Sequence, residues 1–357
     1  MYTDMVTIGF TIVITSILAV WIVKSIGLKH GWVATVRKDR WHQKIAALHG
    51  GVGFIPVIIV GLLYLGYSGN YIGATDYYEM TTYWQLIIGA SILFLAGLID
   101  DIWQINPLSK ISVQSFVAIL FIWSTYPVYS FTSSALINNT IVFIWIVGII
   151  NSINLLDNMD GLSAGIVIII ATTIILLSVL SYPNIPVSFY IAIILVCGVM
   201  GFFTFNFPPA SIFMGDSGSL SLGYMLAILS LPTDLNLKYT YLGFVFENTN
   251  IQMLLVPILV MAVPIFDTSF VTLSRISRSV KISQGGRDHT SHMLVSKGLS
   301  EKHAISVLYI LSIIGGSIVI SSYYISNMLF TGSLIYALIL TSLGLFLNKR
   351  KSKIENG

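Results

Sequence analysis

Charge is what this 357-residue sequence lacks most: only 9% of its residues are Asp, Glu, Lys or Arg, against about 25% in a soluble domain. That shortage argues against a water-exposed globular chain. Cysteine is nearly absent too. The single Cys197, inside an apolar run, excludes an intramolecular disulfide and a cysteine-based metal site. A net charge of +3 is too small to point to nucleic acid. No basic stretch precedes the first apolar run and no A-x-A-like site follows it, so residues 5–27 read as a retained helix rather than a cleavable signal. Internal repeats and low-complexity tracts are missing, and the connections are too short for a separate soluble domain.

What is present is hydrophobicity: 55% of residues are apolar, in recurring runs of the length that spans a bilayer, near 20 residues. The fold class expected is all-α, a polytopic integral membrane protein with about eleven transmembrane helices near 5–27, 49–68, 82–99, 111–130, 139–156, 162–181, 185–205, 217–232, 251–274, 304–323 and 327–347. Residues 1–357 form one transmembrane domain. The basic residues orient it. Lys24, Lys29, Arg37, Lys38, Arg40 and Lys44 lie in the first connection. Arg275, Arg278, Lys281, Arg287, Lys297 and Lys302 lie in the ninth, and Lys349, Arg350, Lys351 and Lys353 in the tail. With Lys110 these fall on one side, and only Lys238 falls opposite. The positive-inside rule makes that side cytoplasmic, with the N-terminus outside and the C-terminus inside. An odd number of helices is required, which favours eleven over ten.

The same side collects the residues capable of chemistry. The third run ends in Gly97-Leu98-Ile99-Asp100-Asp101 and is followed by Lys110; the fifth runs from Asn151 to Gly161 through Asn154, Asp157 and Asp160. Asp216 follows the seventh, and Arg287, His289 and His292 stand in the ninth connection. Acids at membrane depth are costly and mark function. Adjacent like charges at Asp100 and Asp101 need a cation beside them or one takes a proton. A hard divalent ion answers that need, and Asn154 and Asp216 can complete its shell, leaving positions for phosphate oxygens. If the helix continues, Asn151, Asn154 and Asp157 share a face. Lys110, Arg287, His289 and His292 are phosphate-compatible donors. Acids, metal and bases around one point are the layout of phosphoryl transfer.

At these residues the sequence resembles the polyprenyl-phosphate N-acetylhexosamine-1-phosphate transferase family (glycosyltransferase family 4). The segments that carry the likeness are RWHQKIAALHGG at Arg40–Gly51, GLIDD ending at Asp101, NSINLLDNMDGL at Asn151–Leu162, FNFPPASIFMGDSGS at Phe205–Ser219, and the His-rich segment at His289–His292. The resemblance implies transfer of a sugar-1-phosphate from a UDP-amino sugar to a lipid monophosphate, with UMP leaving and Mg2+ required, Mn2+ substituting. It implies catalytic roles for Asp100, Asp101 and His289, with Asp100 deprotonating or orienting the lipid phosphate. Asn154 and Asp216 become the metal ligands. Lys110 holds diphosphate, Asp157 and Asp160 the nucleotide side, and Lys44, Asn151, Arg287 and His292 complete substrate binding. The implied partners are a UDP-amino sugar, undecaprenyl phosphate and membrane lipid, with a homodimer as a candidate assembly. The implied location is the bacterial inner (cell) membrane, with the active site facing the cytoplasm. The FNFPPASIFMGDSGS and HTSH forms look more like the branch that uses UDP-GlcNAc than the phospho-MurNAc-pentapeptide transferases. Departures exist: Ser291 stands for the middle histidine, Asn158 for a frequent glycine, and Ile45-Ala46-Ala47 where a proline is frequent.

Structural readings compete at several positions. Asp157, Asp160 and Asp216 could serve as helix caps. The histidines could be ordinary surface residues. Lys44, Arg37 and Arg40 could enforce topology or attract anionic lipid. Gly50, Gly51 and Gly53 suit either a phosphate loop or close helix packing. Asp267, inside the ninth run, fits a structural or an active-site role. Trp21, Trp103 and Tyr77 read as interface anchors. A transporter, the rival class, would spread its acids across the midplane; here they cluster at one face. A scaffold that has lost activity would not keep the acidic set.

Overall fold

A computed structural model describes residues 2–34, 45–68, 77–125, 131–181, 186–231, 254–281, 286–325 and 327–348. They form α1 (Tyr2–His30), β1 (Val33–Ala34), β2 (Ala46–Ala47), α2 (Gly51–Ser68), α3 (Tyr77–Trp103), α4 (Pro107–Thr125) and α5 (Ala135–Leu156). Then come α6 (Leu162–Ser181), α7 (Val187–Asn206), α8 (Asp216–Ser230), α9 (Leu255–Val260), α10 (Ala262–Ser277), α11 (Thr290–Ser296), α12 (Glu301–Ser321) and α13 (Met328–Asn348). Eight of these, α1, α3 to α7, α12 and α13, are long and apolar enough to cross a membrane. Chains that span lipid must satisfy every backbone polar group internally, which helices do. Hydroxyls on the outer helices are satisfied the same way: Thr11 Oγ1 donates to the Thr7 carbonyl at 2.8 Å and Thr15 Oγ1 to that of Thr11 at 2.7 Å. Phe10, Trp123, Leu136 and Leu338 lie exposed on the periphery. This is an all-α integral membrane protein.

Every expected run except the ninth coincides with one helix. Residues 251–274 were read as one span, but the described part breaks at Met261 into α9 and α10. Pro264 explains the break: it has no N–H to continue the ladder, and its ring disfavours a helical carbonyl four residues back. Hydropathy alone does not register that. The seven-residue α11 is also additional, within a connection expected to be loop.

The helix α8 is the axis of the molecule. All residues from Ser217 to Leu229 are buried, mainly against α3 and α5, with α2 and α6 completing the enclosure. Small residues permit the approach. A Cβ at Gly97 of α3 would lie 2.4 Å from the Asp216 carbonyl oxygen, and one at Gly89 would lie 2.4 Å from the Tyr224 ring. Polar ties fix the register: Tyr224 Oη donates to the Gln85 carbonyl at 3.1 Å, and Trp145 Nε1 to that of Ala227 at 3.1 Å. Consequently the N-terminus of α8 is held where α3 and α5 end and α4 begins.

A small scaffold seals that end. Val33 pairs with Ala47 and Ala34 with Ala46 in an antiparallel ribbon. Ala47 also exchanges hydrogen bonds with the 211–213 segment, and the N–H groups of Gly50 and Gly51 donate to the carbonyls of Phe213 and Met214, each at 2.8 Å. A Cβ on Gly51 would lie 2.4 Å from the Gly218 nitrogen, and one on Gly53 2.8 Å from the Val20 Cα. Of the two readings of these glycines, close packing is the one the contacts support.

Candidate active site

Gly215 is the N-cap of α8, with φ of 75° and no side chain to cap the helix. The cap comes from another helix. Asp101, in the last turn of α3, accepts the Asp216 N–H at Oδ1 (2.7 Å), and at Oδ2 the Ser217 N–H (3.1 Å) and Ser217 Oγ (2.8 Å). An acid at the C-terminal end of α3 opposes that helix's dipole, but at the N-terminus of α8 it is favourable. A Cβ on Gly215 would lie 2.7 Å from the Asp101 carboxylate, so glycine is required for space as well as for its positive φ. Asp101 therefore orients Asp216.

Asp100, its neighbour, points elsewhere. Its Oδ1 accepts the Ile105 N–H at 2.8 Å, and its Oδ2 lies 2.6 Å from Lys110 Nζ. The same ammonium is ion-paired to Asp216 Oδ2. Asn154 Nδ2 donates to Asp216 Oδ1 at 2.9 Å and to Ser219 Oγ at 2.8 Å. Four helices thus meet in one cluster: Asp100 and Asp101 from α3, Lys110 from α4, Asn154 from α5, and Asp216 from α8. A lysine shared between two carboxylates marks a point where positive charge is required. The three carboxylates offer oxygen ligands, as a hard cation prefers. Among the described residues no group of three or more His, Cys, Asp or Glu could hold a metal alone. This set fits an ion bound jointly by few protein ligands and a phosphate-bearing substrate, which is the habit of magnesium.

The turn after α5 forms a second group. Asp157 is the C-cap of α5. Asp160 Oδ2 accepts the Ala210 N–H at 2.8 Å, and Asn206 Oδ1 accepts that of Gly161 at 3.0 Å, so this turn is tied to the 205–214 segment. Asn158 Oδ1 accepts the Ser291 hydroxyl at 2.7 Å, joining the turn to α11. Asn154 and Asn158 are about one turn apart in sequence, so the acid cluster and the histidine segment both attach to the end of α5.

Within that segment, His289 and His292 are buried, with rings 6.4 Å apart. Burial, reinforced by the positive charge of Arg287, pushes His292 down from 6.5 to about 4, so it is neutral near pH 7. Asp288 is gripped by Arg275 through both oxygens (2.9 and 2.7 Å) and by Arg278 (2.8 Å). The Arg275 guanidinium holds its carboxyl down at about 2.

Asp100, Asp101, Lys110, Asn154 and Asp216 are thus brought together directly. Asn151 Nδ2 donates to Gln114 Oε1 (2.6 Å), one turn before Asn154 and within the α4–α5 contact. Arg287 is exposed. Lys44 lies outside the described residues. Sequence reasoning missed four participants. Ser217 shares the Asp101 cap, and buried Gln114 pairs with Asn151. Asp288 anchors the residue before His289. His49, with φ of 66°, places Nδ1 3.9 Å from Asp101 Oδ2. His49 and Ser217 carried a signal, standing inside the RWHQKIAALHGG and FNFPPASIFMGDSGS segments.

A membrane-embedded helical bundle with an acid–lysine cluster at its helix ends defines a class, and comparison places the chain in it. Residues 83–234 match the family described as Glycosyl transferase family 4. The chain is 31% identical over 318 residues, 87% of its length, to the probable undecaprenyl-phosphate N-acetylglucosaminyl 1-phosphate transferase of Bacillus subtilis (strain 168), of which it covers 82%. The chain belongs to glycosyl transferase family 4, the polyprenyl-phosphate N-acetylhexosamine-1-phosphate transferases. A decaprenyl-phosphate N-acetylglucosaminephosphotransferase of Mycolicibacterium smegmatis is 26% identical over 330 residues, covering 86% of this chain and 79% of that protein. A phospho-N-acetylmuramoyl-pentapeptide-transferase of Lactobacillus gasseri is 28% identical over 250 residues, covering 64% of this chain and 75% of that protein.

Proposed function

We propose that this protein transfers N-acetylglucosamine-1-phosphate from UDP-GlcNAc to undecaprenyl phosphate. UMP is released, and the lipid-linked diphosphate sugar initiates a cell-envelope polysaccharide. The observation that carries the reading is Lys110 shared between Asp100 and Asp216, with Asp101 fixing the Asp216 backbone. The chain crosses the cell membrane eleven times as a single catalytic domain, counting α2, α8 and the α9–α10 pair. The distribution of basic residues supports a cluster at the cytoplasmic leaflet.

An oxygen of the lipid phosphate attacks the β-phosphorus of the nucleotide sugar, and the bond from that phosphorus to the bridging oxygen breaks, releasing UMP. Asp100 orients the lipid phosphate and takes its proton if one is present. Lys110 turns from the two carboxylates to the diphosphate oxygens. Direct attack is preferred over an aspartyl intermediate, because a phosphate monoester is already a nucleophile. Asp216 and Asn154 would hold magnesium, or manganese in its place, and the ion would neutralise diphosphate charge. Asn154, whose Nδ2 faces Asp216, would offer Oδ1. Asn151, Asp157 and Asp160 form the nucleotide side, His289, His292 and Arg287 the diphosphate and sugar side, and Lys44 meets the anionic headgroups. Dimerisation is compatible with this arrangement.

The Bacillus subtilis and Mycolicibacterium smegmatis relatives named as GlcNAc-phosphate transferases align over 87% and 86% of this chain, against 64% for the Lactobacillus gasseri pentapeptide transferase, which favours UDP-GlcNAc as donor. Purified protein with undecaprenyl phosphate and magnesium, offered radiolabelled UDP-GlcNAc, UDP-GalNAc and UDP-MurNAc-pentapeptide separately, tests the donor. Lipid-soluble label from UDP-GlcNAc, abolished by EDTA, is expected. Label from the pentapeptide donor instead would contradict the assignment.

A further inference from the structure

Asp267, in α10, is the only buried carboxylate among the described residues. Its three partners belong to two consecutive residues. Oδ1 accepts the Thr290 N–H at 2.7 Å and the Thr290 hydroxyl at 2.5 Å, while Oδ2 faces His289 Nδ1 at 2.8 Å. The first pair is a helix cap supplied from outside, because His289 is the N-cap of α11 and its side chain caps nothing. Here the cap uses Oδ1 alone, so the second oxygen, the one on the imidazole, needs its own explanation.

A carboxylate accepts and does not donate. His289 Nδ1 is therefore the protonated nitrogen, and Nε2 is the nitrogen left for substrate. The surroundings of Asp267 are electropositive: the capped N-terminus carries the positive end of its dipole, and the Arg275 guanidinium lies two turns along α10. Asp267, Val271 and Arg275, with Val263 before them, are the buried positions of α10 at four-residue spacing. Through Arg275–Asp288 and Asp267–His289–Thr290, that stripe grips three successive residues, so the imidazole is fixed in position as well as in tautomer.

Resting on the reading of His289 as a catalytic group, we propose that Asp267 is a positioning residue of the transfer reaction. It holds His289 in the Nδ1–H tautomer and presents Nε2 to the diphosphate. Asp267→Asn keeps the shape but gives the ring a mixed donor–acceptor partner. One of the Thr290 or His289 donors then loses its acceptor, or the ring adopts the opposite tautomer.

The test combines 15N NMR of histidine-labelled protein with steady-state kinetics. The His289 signal is assigned by its loss in His289→Gln. In the wild type the Nδ1–H signature is expected. In Asp267→Asn that signature is lost, and kcat falls by about 100-fold or more, as wrong-tautomer variants of Asp–His pairs do, with KM for UDP-GlcNAc within a few-fold. Thr290→Val, which removes only the hydroxyl bond, lowers the melting temperature and leaves kcat and the tautomer unchanged. A wild-type His289 protonated on Nε2 alone overturns the proposal, and that measurement does not depend on any variant folding. An Asp267→Asn enzyme with near-normal kcat, beside an inactive His289→Ala, overturns the positioning role alone. An active His289→Ala instead removes the catalytic reading beneath it.

Discussion

Adjacent residues with the same side chain do different work here. Asp100 faces Lys110, whereas Asp101 has both oxygens engaged at the start of α8. Asp100→Asn and Asp216→Asn should each cost about 1000-fold or more in kcat, in the range of lost transition-state charge stabilisation, while circular dichroism and melting temperature change little. Asp101→Ala should lose activity and also about 1–2 kcal/mol of stability, the worth of a helix cap. An Asp101→Ala protein that is inactive but melts like the wild type would show that the cap is not its role. His292 gives a pH signature. Its folded pKa is lowered from 6.5 to about 4, so the unfolded chain binds more protons between those values. Stability contributed by the neutral ring is complete above about pH 6.5 and declines as pH falls towards about 4. Melting temperature measured across that window should drop with acid in the wild type and less steeply in His292→Gln. These residues were legible because acids and histidines stand out in so apolar a chain. Their division of labour was not, since a cap delivered from another helix leaves no local pattern.

At the scale of elements, the site is a junction of helix ends. The turn after α5 and the short α11 are joined by a bond between side chains, Ser291 Oγ to Asn158 Oδ1. Both positions depart from the pattern of the resembled family, and the structure pairs them with each other. Ser291→Ala, Asn158→Ala and the double variant should raise KM for UDP-GlcNAc by a few-fold and give non-additive free energies, coupled by about 0.5–3 kcal/mol. Additive effects would mean that the contact does not align the two segments. Hydropathy located nearly every helix, because a lipid-spanning segment needs only length and apolarity. It missed the break at Met261, where Pro264 acts through backbone hydrogen bonding, and it missed α11, whose seven residues are anchored by Asp267 from α10.

For the whole molecule, α8 determines where chemistry can occur. It is short and buried from Ser217 to Leu229, and its N-terminus meets the ends of α3 and α5. The proposed orientation puts this junction, the basic connections and the C-terminus on the cytoplasmic side. A reporter at the C-terminus should be protected from protease in intact cells and cleaved in inverted vesicles; the reverse pattern would invert the topology. The direction of the basic asymmetry was readable directly. The convergence of four helix ends was not, because it depends on packing through glycines such as Gly97 and Gly89.

The central claim is that phosphorus travels with the sugar. UDP-GlcNAc labelled with 32P at either the α or the β position, incubated with the protein, undecaprenyl phosphate and magnesium, tests it directly. The β label should enter the lipid fraction in equal amount with GlcNAc, and the α label should appear only in UMP. Sugar entering the lipid without the β label, with UDP as the product, would contradict the account.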